Sequence, residues 1–328
     1  MRIFSGIQPT GAKHLGNYIG AITQYVAGQD RGDAVYCIVD LHATTVPYEP
    51  ALLRERVYDT TAVLLATGLD PERCILFRQG DVHEHSELCW LLCSVTAHGD
   101  LNRMHQFKDK AAAQRELVSA GLFLYPVLQA ADVLAYRTDE VPVGDDQRQH
   151  VELTREIAER FNARFGPVLV APVHRIPSVG ARIMDLQDPT RKMSTTAASA
   201  EGTLYVLDEP EAIARKLKRA VTDSGSEVRR GPGKEGVANL IEILAAVAGS
   251  SPEQVEQRFA GERYGPLKAA VAEAVTEHLA PVRERYADLR ADPAALEATL
   301  AAGAERARRI AAGTLADVRA AMGVGPAR

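Results

Sequence analysis

Short apolar runs that favour β-strands alternate with helical patterns through the first hundred residues. The runs are Ile3-Phe4-Ser5, residues 34–39 and residues 74–77, and helical patterns follow them over residues 18–26, 51–66 and 85–98. Continuous runs of this kind are typical of strands buried on both faces. Alternating strands and helices predict a parallel sheet with right-handed crossovers, so we assign the chain to the α/β class.

The pattern changes twice further along the chain. Over residues 101–180 the strand–helix rhythm weakens, although Val141-Pro142-Val143 still favours a strand and residues 151–165 an amphipathic helix. A last short strand is predicted over residues 182–186. Beyond residue 205 strand signals nearly vanish and alanine-rich helical patterns cover most of residues 209–322, so we predict an all-helical second domain over residues 206–328.

Composition excludes several classes of protein. Hydrophobic residues make up 46% of the 328 and charged residues 25%, as in an average soluble protein. No stretch approaches the roughly 20 apolar residues of a membrane span, so we expect a cytoplasmic protein without a membrane partner. The net charge of −5 argues against indiscriminate nucleic-acid binding, although local basic clusters allow a localised RNA contact. The four cysteines lack the spacing of a metal site, so we expect buried thiols and no structural metal.

Residues 8–17 join the first strand to the first helix. Gly11 suits a turn, and Gly16 at the helix entrance leaves room for a ligand. His14 and Asn17 then offer neutral hydrogen-bond donors near a helix N-terminus, where a phosphate is favoured. A turn that needs glycine only for steric reasons is the alternative interpretation.

Asp132 is embedded in an apolar segment, residues 121–136. Burying an unpaired polar group costs roughly 2–7 kcal/mol, so the carboxylate needs a partner. One interpretation is an internal salt bridge or a helix cap. The other is a pocket floor that accepts a hydrogen bond from a ligand, because Tyr125 and Gln129 share a helical face with Asp132.

Two polar segments follow. Gly144-Asp145-Asp146-Gln147 comes after an apolar strand, which suggests recognition of ribose hydroxyls or an ammonium group, or the cap of the next helix. Lys192-Met193-Ser194 lies in a polar stretch where we expect nothing to pack. A mobile basic loop of this kind suits a lid over a polyphosphate.

Taken together, these segments resemble class I aminoacyl-tRNA synthetases, and in particular the bacterial tryptophan–tRNA ligase family. His14-Leu15-Gly16-Asn17 resembles the HIGH signature, and Lys192-Met193-Ser194-Thr195-Thr196 resembles the KMSKS loop. Two separated signatures in the right order are far more specific than either alone. Further matching segments occur in order at residues 4–11, 38–43, 102–110, 125–132, 142–147 and 180–184.

The resemblance implies a Rossmann-type catalytic domain over residues 1–205, with an insertion at about 101–180 and the signature loop at 192–196. It also implies an anticodon-recognising helical domain over 206–328, a homodimer, and attachment of L-tryptophan to tRNA(Trp) through an adenylate made from ATP with Mg²⁺.

The resemblance also implies roles for individual residues. Lys192, Lys110, Gln8 and Asn17 would act in catalysis. The ATP-binding residues would be Gln8, Pro9, Thr10, Gly16, Asn17, Gly144, Asp145, Asp146, Ile183, Lys192, Met193, Ser194, Thr195 and Thr196. The tryptophan-binding residues would be Asp132, Tyr125, Phe4, Gly6, Gln8, His42, Gln129, Val141, Val143 and Gln147, with Asp132 accepting the indole N–H. For Lys110, a solvated helix lysine is the alternative interpretation.

Two positions depart from the family pattern. Thr195 replaces the second lysine of KMSKS, so one phosphate-binding charge is missing. Gln129 stands where related enzymes often carry methionine, so the polarity of the pocket differs. Two rival functions stay open: a tyrosine-specific relative, since a phenol can also donate to Asp132, and a non-catalytic module that senses RNA or an amino acid.

Overall fold

The computed structural model describes residues 1–105, 118–176, 183–194 and 200–326. At its centre is a parallel sheet with the strand order β3-β2-β1-β4-β5. The strands are β1 (Arg2–Ile7), β2 (Asp33–Ile38), β3 (Cys74–Arg78), β4 (Glu140–Pro142) and β5 (Val173–Arg175). The predicted α/β class and parallel sheet are confirmed.

Helices follow the strands and then continue alone towards the C-terminus. In the sheet region they are α1 (Leu15–Asn17), a π-helical turn (Tyr18–Ile22), α2 (Thr23–Gly28), α3 (Asp40–Ala43), α4 (Pro50–Ala66), α5 (Glu84–Cys93), α6 (His98–Arg103), α7 (Ala120–Leu134) and α8 (Arg148–Phe165). The later helices are α9 (Pro210–Lys218), α10 (Glu235–Ala248), α11 (Pro252–Arg258), α12 (Tyr264–Arg290) and α13 (Pro293–Met322). The predicted helical character of this later part is confirmed.

Two details of the predicted secondary structure are wrong. The helix expected over residues 85–98 ends at Cys93, where the hydroxyls of Ser94 and Thr96 donate to helix carbonyls and so compete with its continuation. The strand expected over residues 182–186 is not part of the sheet, because in its described part Met184 makes one isolated antiparallel bridge to Lys192. The fifth strand is instead β5, a three-residue element too short to give a periodic signal.

Alternate residues of the strands face two separate cores. Tyr36 and Ile38 of β2 lie in a core shared with α2, α4, α10 and α12. Val35 and Cys37 lie in a second core shared with α5, α7, α8 and α13. The sheet is therefore covered on both faces, which explains the continuous apolarity of its strands.

The last helix covers the edge of the sheet. Helix α13 crosses β3 so closely that a Cβ on Gly303 would lie 1.8 Å from the carbonyl oxygen of Leu76. The guanidinium of Arg306 donates to the carbonyl oxygens of Pro71 and Cys74 at 2.7 and 3.0 Å. An exposed strand edge that would otherwise invite pairing with another chain is thus closed. The domain boundary at residue 205 stays a prediction.

Among the residues described above, none of the helices has the length and apolarity that crossing a membrane requires.

Candidate active site

The candidate site lies where the strand order reverses. Strands β2 and β3 extend from β1 on one side, and β4 and β5 extend from it on the other. In open α/β sheets, ligands bind at such a switch point beyond the carboxyl ends of the strands. Gln8 directly follows β1, and Val143 and Gly144 directly follow β4, so both predicted binding segments start at this crevice.

The turn after β1 is built as an N-terminal cap. Gly11 has φ +68°, the left-handed region that glycine adopts without strain. The backbone N–H of Asn17 donates to Nδ1 of His14 at 3.2 Å, and the N–H of His14 donates to Oδ1 of Asn17 at 3.3 Å. Both residues therefore hold the turn together, and their remaining donors, Nε2 of the neutral histidine and Nδ2 of the asparagine, are the ones a ligand can use.

The His14 ring is neutral at physiological pH. Burial lowers its pKa to about 4, with further contributions from the positive charges of Lys192 and Lys13. Because Nδ1 accepts a hydrogen bond, the ring hydrogen of the neutral form is on Nε2. The site thus combines the neutral N–H donor of His14 with the positive charges of Lys13 and Lys192.

Lys13 anchors the segment before the cap. Its ammonium group donates to the carbonyl oxygen of Gln8 at 2.6 Å, and the residue is only 8% exposed. Burial and the nearby Arg56 lower the pKa of Lys13 to about 8, partly offset by Asp59. A buried lysine therefore fixes the backbone of the predicted ATP-binding turn.

The signature loop lies against this turn. Met193 is buried and donates its N–H to the carbonyl oxygen of Ile183, so the expectation that nothing in the loop packs is wrong for this residue. Ile183 in turn contacts the position of Gly16, where an added Cβ would lie 3.6 Å from the Cβ of Ile183. Met193 and Ile183 therefore belong to the core, because burial removes their apolar side chains from water.

Lys192 reaches the loop after β4. Its ammonium group lies 3.5 Å from Oδ1 of Asp146, and the two side chains are 49% and 53% exposed. Burial alone would raise the pKa of Asp146, but hydrogen bonding from Gln147 and the charge of Lys192 lower it. Three segments that are far apart in sequence, the 8–17 turn, the 144–147 loop and the 183–194 segment, thus meet at the switch point.

The helical region also holds the signature loop. Asn239 on α10 is buried, accepts the N–H of Met184 at 2.9 Å and donates to its carbonyl oxygen at 2.9 Å. Met184 pairs with Lys192, so this amide connects α10 to the candidate phosphate-binding residue.

Near the ends of β2 and β3, Asp132 is 1% exposed and accepts hydrogen bonds from side chains of three other segments. Oδ1 accepts from Nε2 of Gln79 and from Nδ1 of His85, both at 2.6 Å, and Oδ2 accepts from Nε2 of His42 at 2.8 Å. Burial would raise the pKa of Asp132, but the hydrogen bonds from His42 and His85 outweigh it and hold the pKa below its ordinary range. The carboxylate is therefore ionised and can only accept.

The other predicted tryptophan-pocket residues lie on or near three elements, α7, β1 and β4, and differ in burial. Tyr125 and Gln129 lie on α7 at helical spacing from Asp132, and the Tyr125 hydroxyl is 2.9 Å from Nε2 of His150. Phe4 is buried and stacks on Tyr136 with ring centroids 5.5 Å apart. The remaining predicted pocket residues lie at the ends of β1 and β4: Gly6 is exposed, Val141 is buried, and Val143 and Gln147 are half-buried.

Some predicted residues lie outside the described ranges, and some functional candidates were absent from the prediction. Lys110, Thr195 and Thr196 belong to the first group. The additional candidates are Lys13, His85, Tyr136 and Asn239. Lys13 lies within the 8–17 turn itself, whereas the other three contact the site only through tertiary packing. Gln79 directly follows a buried strand, and polar residues at strand ends are site candidates from the sequence alone.

Comparisons with known proteins agree with this arrangement. The family described as "tRNA synthetases class I (W and Y)" matches residues 1–280. The chain is 49% identical over 330 residues to "Tryptophan--tRNA ligase 2" of Streptomyces avermitilis, an alignment that covers 100% of this chain and 98% of that protein.

Two solved structures of the same kind are also similar. The tryptophanyl-tRNA synthetase of Mycoplasma pneumoniae superimposes with a TM-score of 0.93 at 35% identity, covering 99% of this chain and 98% of the other. The enzyme of Campylobacter jejuni, solved in complex with ADP and tryptophan, gives a TM-score of 0.84 at 33% identity over 99% and 100% of the two chains. The sequence and the fold agree over the full length, and the chain belongs to the class I tRNA synthetase family that comprises the tryptophan and tyrosine enzymes.

Proposed function

We propose that this protein is a tryptophan–tRNA ligase (EC 6.1.1.2). It first makes tryptophanyl-adenylate from L-tryptophan and ATP with release of pyrophosphate, and then transfers the tryptophanyl group to tRNA(Trp) with release of AMP. The observation that carries this proposal is the meeting of the 8–17 turn, the 144–147 loop and Lys192 at the switch point, together with an ionised Asp132 held by side chains that follow β2 and β3. Sequence identity of 48–49% with bacterial tryptophan–tRNA ligases over nearly the whole chain supports tryptophan as the amino acid.

The first step needs no nucleophile from the protein. The substrate carboxylate attacks the α-phosphorus of ATP, and the bond to the β-phosphate breaks as pyrophosphate leaves. Catalysis therefore consists of positioning and of stabilising charge on the leaving group. We assign that charge stabilisation to Lys192 and Lys110, together with the Mg²⁺ that arrives bound to the ATP phosphates.

Lys192 can leave Asp146 for a phosphate at little cost. Both side chains are about half exposed, and ion pairs with such exposure contribute about 0–1 kcal/mol. A polyphosphate carries more charge than one carboxylate and would compete well for the ammonium group. Asp146 would then be available, with Gly144 and Asp145, for the adenosine end of ATP.

The 8–17 turn supplies neutral donors to the same ligand. The neutral His14 can donate from Nε2 without having to lose or gain a proton. Substituting Gly16 would place a Cβ 3.0 Å from Nδ1 of His14, and substituting Gly144 would place one 2.7 Å from Oδ1 of Asp146. Glycine at both positions therefore preserves the cap, the acidic loop and the space between them.

For the amino acid, we assign the indole N–H to Asp132. The carboxylate is an ionised acceptor, so a side chain that brings a donor completes its hydrogen bonds. Tyr125, Gln129, His42 and the residues at the ends of β1 and β4 would surround the ring. A phenol can also donate to a carboxylate, so charging with tyrosine is the alternative outcome that the experiment below separates.

The helical residues 206–328 are proposed to recognise the anticodon of tRNA(Trp). Support comes from basic side chains clustered at the end of α9: Arg215 on the helix and Arg219 directly after it are exposed, although both contact Glu201. Because ATP and tRNA are reactants of cytoplasmic protein synthesis, we infer a cytoplasmic location.

We also infer a homodimer. The single tryptophan of the chain, Trp90 on α5, is 75% exposed, and Cys93 follows one turn later on the same face and is partly exposed. Aromatic residues are enriched in protein interfaces. Sedimentation should show a dimer for the natural sequence and a monomer for Trp90→Glu, whereas identical masses would contradict this interface.

The proposed activity is tested by ATP–pyrophosphate exchange with each of the twenty amino acids. We expect exchange that depends on L-tryptophan. Exchange with tyrosine instead would assign the chain to the tyrosine branch of the family. No exchange with any amino acid would favour the non-catalytic sensor.

The role of Lys192 is tested by Lys192→Ala. Because the charge on the leaving group develops only in the transition state, the exchange rate should fall far more than tryptophan affinity. Lys218→Ala, which removes an exposed lysine from α9, is the matched control and should leave both unchanged. Equal losses of rate and affinity for Lys192→Ala would contradict the assigned role.

A further inference from the structure

A line of buried polar side chains runs from Asp132 through His85 to Tyr136. Nδ1 of His85 lies 2.6 Å from Oδ1 of Asp132, and Nε2 of the same ring lies 2.6 Å from the hydroxyl of Tyr136. His85 and Tyr136 are both fully buried. The three side chains therefore form one continuous hydrogen-bonded chain, which we call the Tyr136–His85–Asp132 relay.

The direction of each hydrogen bond follows from the ionised carboxylate. Because Asp132 can only accept, Nδ1 of His85 must carry a hydrogen. Burial raises the pKa of Tyr136, so its hydroxyl keeps its hydrogen and can donate to Nε2 of a neutral ring. The relay is thus oriented from the tyrosine to the carboxylate, and it determines the tautomer of the histidine.

Aromatic packing holds the relay in place. The Tyr136 ring stacks on Phe4 at an interplanar angle of 11°, with centroids 5.5 Å apart. The rings of His85 and Phe77 pack in an edge-to-face arrangement, with centroids 5.8 Å apart and an interplanar angle of 80°. Rings packed on several sides cannot turn to other rotamers, so the donor at Nδ1 stays directed at Oδ1.

The hydrogen bonds leave one oxygen of Asp132 open to a ligand. An ionised carboxylate has about four lone-pair positions. Gln79 and His85 occupy Oδ1, and among the described residues His42 is the donor to Oδ2. The remaining position is on Oδ2, and its direction depends on Oδ1 being held.

We propose that Tyr136 and His85 are positioning residues for amino-acid selection, because they hold Asp132 as an acceptor-only carboxylate aimed at a substrate N–H. This rests on the proposed function and adds residues that do not touch the substrate. A substrate without the donor would leave one lone pair of this buried, charged oxygen unpaired although His42 donates to the other, and a site of this kind discriminates against such a substrate. Without the relay, the carboxylate could rotate or take up a proton, and the preference for a donor would weaken.

The test compares L-tryptophan with 3-(benzothiophen-3-yl)-L-alanine, in which sulfur replaces the N–H and the shape is nearly kept. For each variant, kcat/KM is measured with both substrates by pyrophosphate exchange, and the ratio of the two values is the readout. A general structural defect lowers both values equally and leaves the ratio unchanged.

Three variants separate the parts of the relay. His85→Leu removes the donor to Asp132 and should reduce the preference for tryptophan about ten- to a hundredfold, as expected for one hydrogen bond to a charged group. Tyr136→Phe keeps that donor but removes its support, and should reduce the ratio about three- to tenfold. His85→Asn can place an amide N–H near the position of Nδ1 and should keep the ratio within about threefold of the original.

Tyr36→Phe is the matched control. Tyr36 is also fully buried in the sheet and its hydroxyl donates to the carbonyl oxygen of Tyr25 at 2.7 Å, but it belongs to the other core. Removing this hydroxyl should change the overall stability without changing the ratio.

Several outcomes would overturn the proposal. An unchanged ratio in both His85→Leu and Tyr136→Phe would show that Asp132 is held without the relay. A similar change in Tyr36→Phe would show a general effect of lost buried hydroxyls. If His85→Leu does not fold, the near-isosteric Tyr136→Phe decides alone. Failure of the proposed function is distinguished by the natural sequence itself, which would then give no exchange with tryptophan and would overturn both proposals.

Discussion

Replacing Gly303 by alanine should destabilise the protein although alanine is the better helix former. Helix α13 crosses β3 at this glycine, and the added Cβ would lie 1.8 Å from the carbonyl oxygen of Leu76 and 2.7 Å from its carbonyl carbon. The obstacle is backbone in a paired strand, so no side chain can rotate away. The helix itself has to move outward by more than an ångström.

The expected magnitude follows from three contributions. Overpacking of a well-filled core costs about 1–3 kcal/mol. Moving the helix also stretches the hydrogen bonds from Arg306 to Pro71 and Cys74, and hydrogen bonds to a charged group contribute about 1.5–3 kcal/mol each. The better helix propensity of alanine returns at most about 1 kcal/mol. We therefore expect Gly303→Ala to lower the free energy of unfolding by about 2–4 kcal/mol.

The same helix provides a matched control. Gly313 also lies in α13, but a Cβ there would meet no atom within 4 Å. Gly313→Ala should raise the free energy of unfolding by up to about 1 kcal/mol, since only helix propensity changes. Urea titrations of the two variants, followed by circular dichroism, measure the difference. If Gly303→Ala is as stable as Gly313→Ala, the close contact between α13 and β3 is not rigid and the reasoning fails.

Three further predictions concern the candidate active site. Lys13 has a pKa of about 8 in the folded chain, against an ordinary value of 10.5. Between these two pH values the unfolded chain binds more protons than the folded one, so the free energy of unfolding rises with pH. Lys13→Met should remove up to about 3 kcal/mol of that rise. Parallel pH curves in urea titrations of the two proteins would contradict this. Asn239→Ala removes the side-chain partner of the N–H and the carbonyl oxygen of Met184. Because Met184 pairs with Lys192, we expect the KM for ATP in pyrophosphate exchange to rise more than the KM for tryptophan. Equal increases in the two KM values would argue for a purely structural role. Thr195→Lys restores the positive charge that the family pattern contains. Pre-steady-state adenylation at saturating ATP should therefore accelerate by about tenfold or less, with tryptophan affinity unchanged. An unchanged rate would mean that other groups already replace the missing charge.

Patterns that depend on near neighbours in the chain could be read from the sequence. Continuous apolar runs such as residues 34–39 predicted strands buried on both faces, and the structure has a parallel sheet covered by two cores. The end of α13 at Met322 agrees with the predicted end of the helical patterns at residue 322, because a long alanine-rich segment strongly favours a helix. Strand β5 was missed because three residues carry no measurable periodicity.

The environment of Asp132 was decided by the tertiary structure. The sequence showed that a carboxylate in an apolar segment needs a partner, and it left an internal salt bridge and a ligand site as alternatives. The partners come from His42, Gln79 and His85, which are 90, 53 and 47 residues away along the chain. Local propensity carries no information about such contacts, since they form only when the strand order brings the ends of β2 and β3 next to α7. The sequence by itself therefore determined most of the elements and the residue types of the site, whereas the packing of the sheet decided which side chains meet and which carboxylate oxygen is left for a ligand.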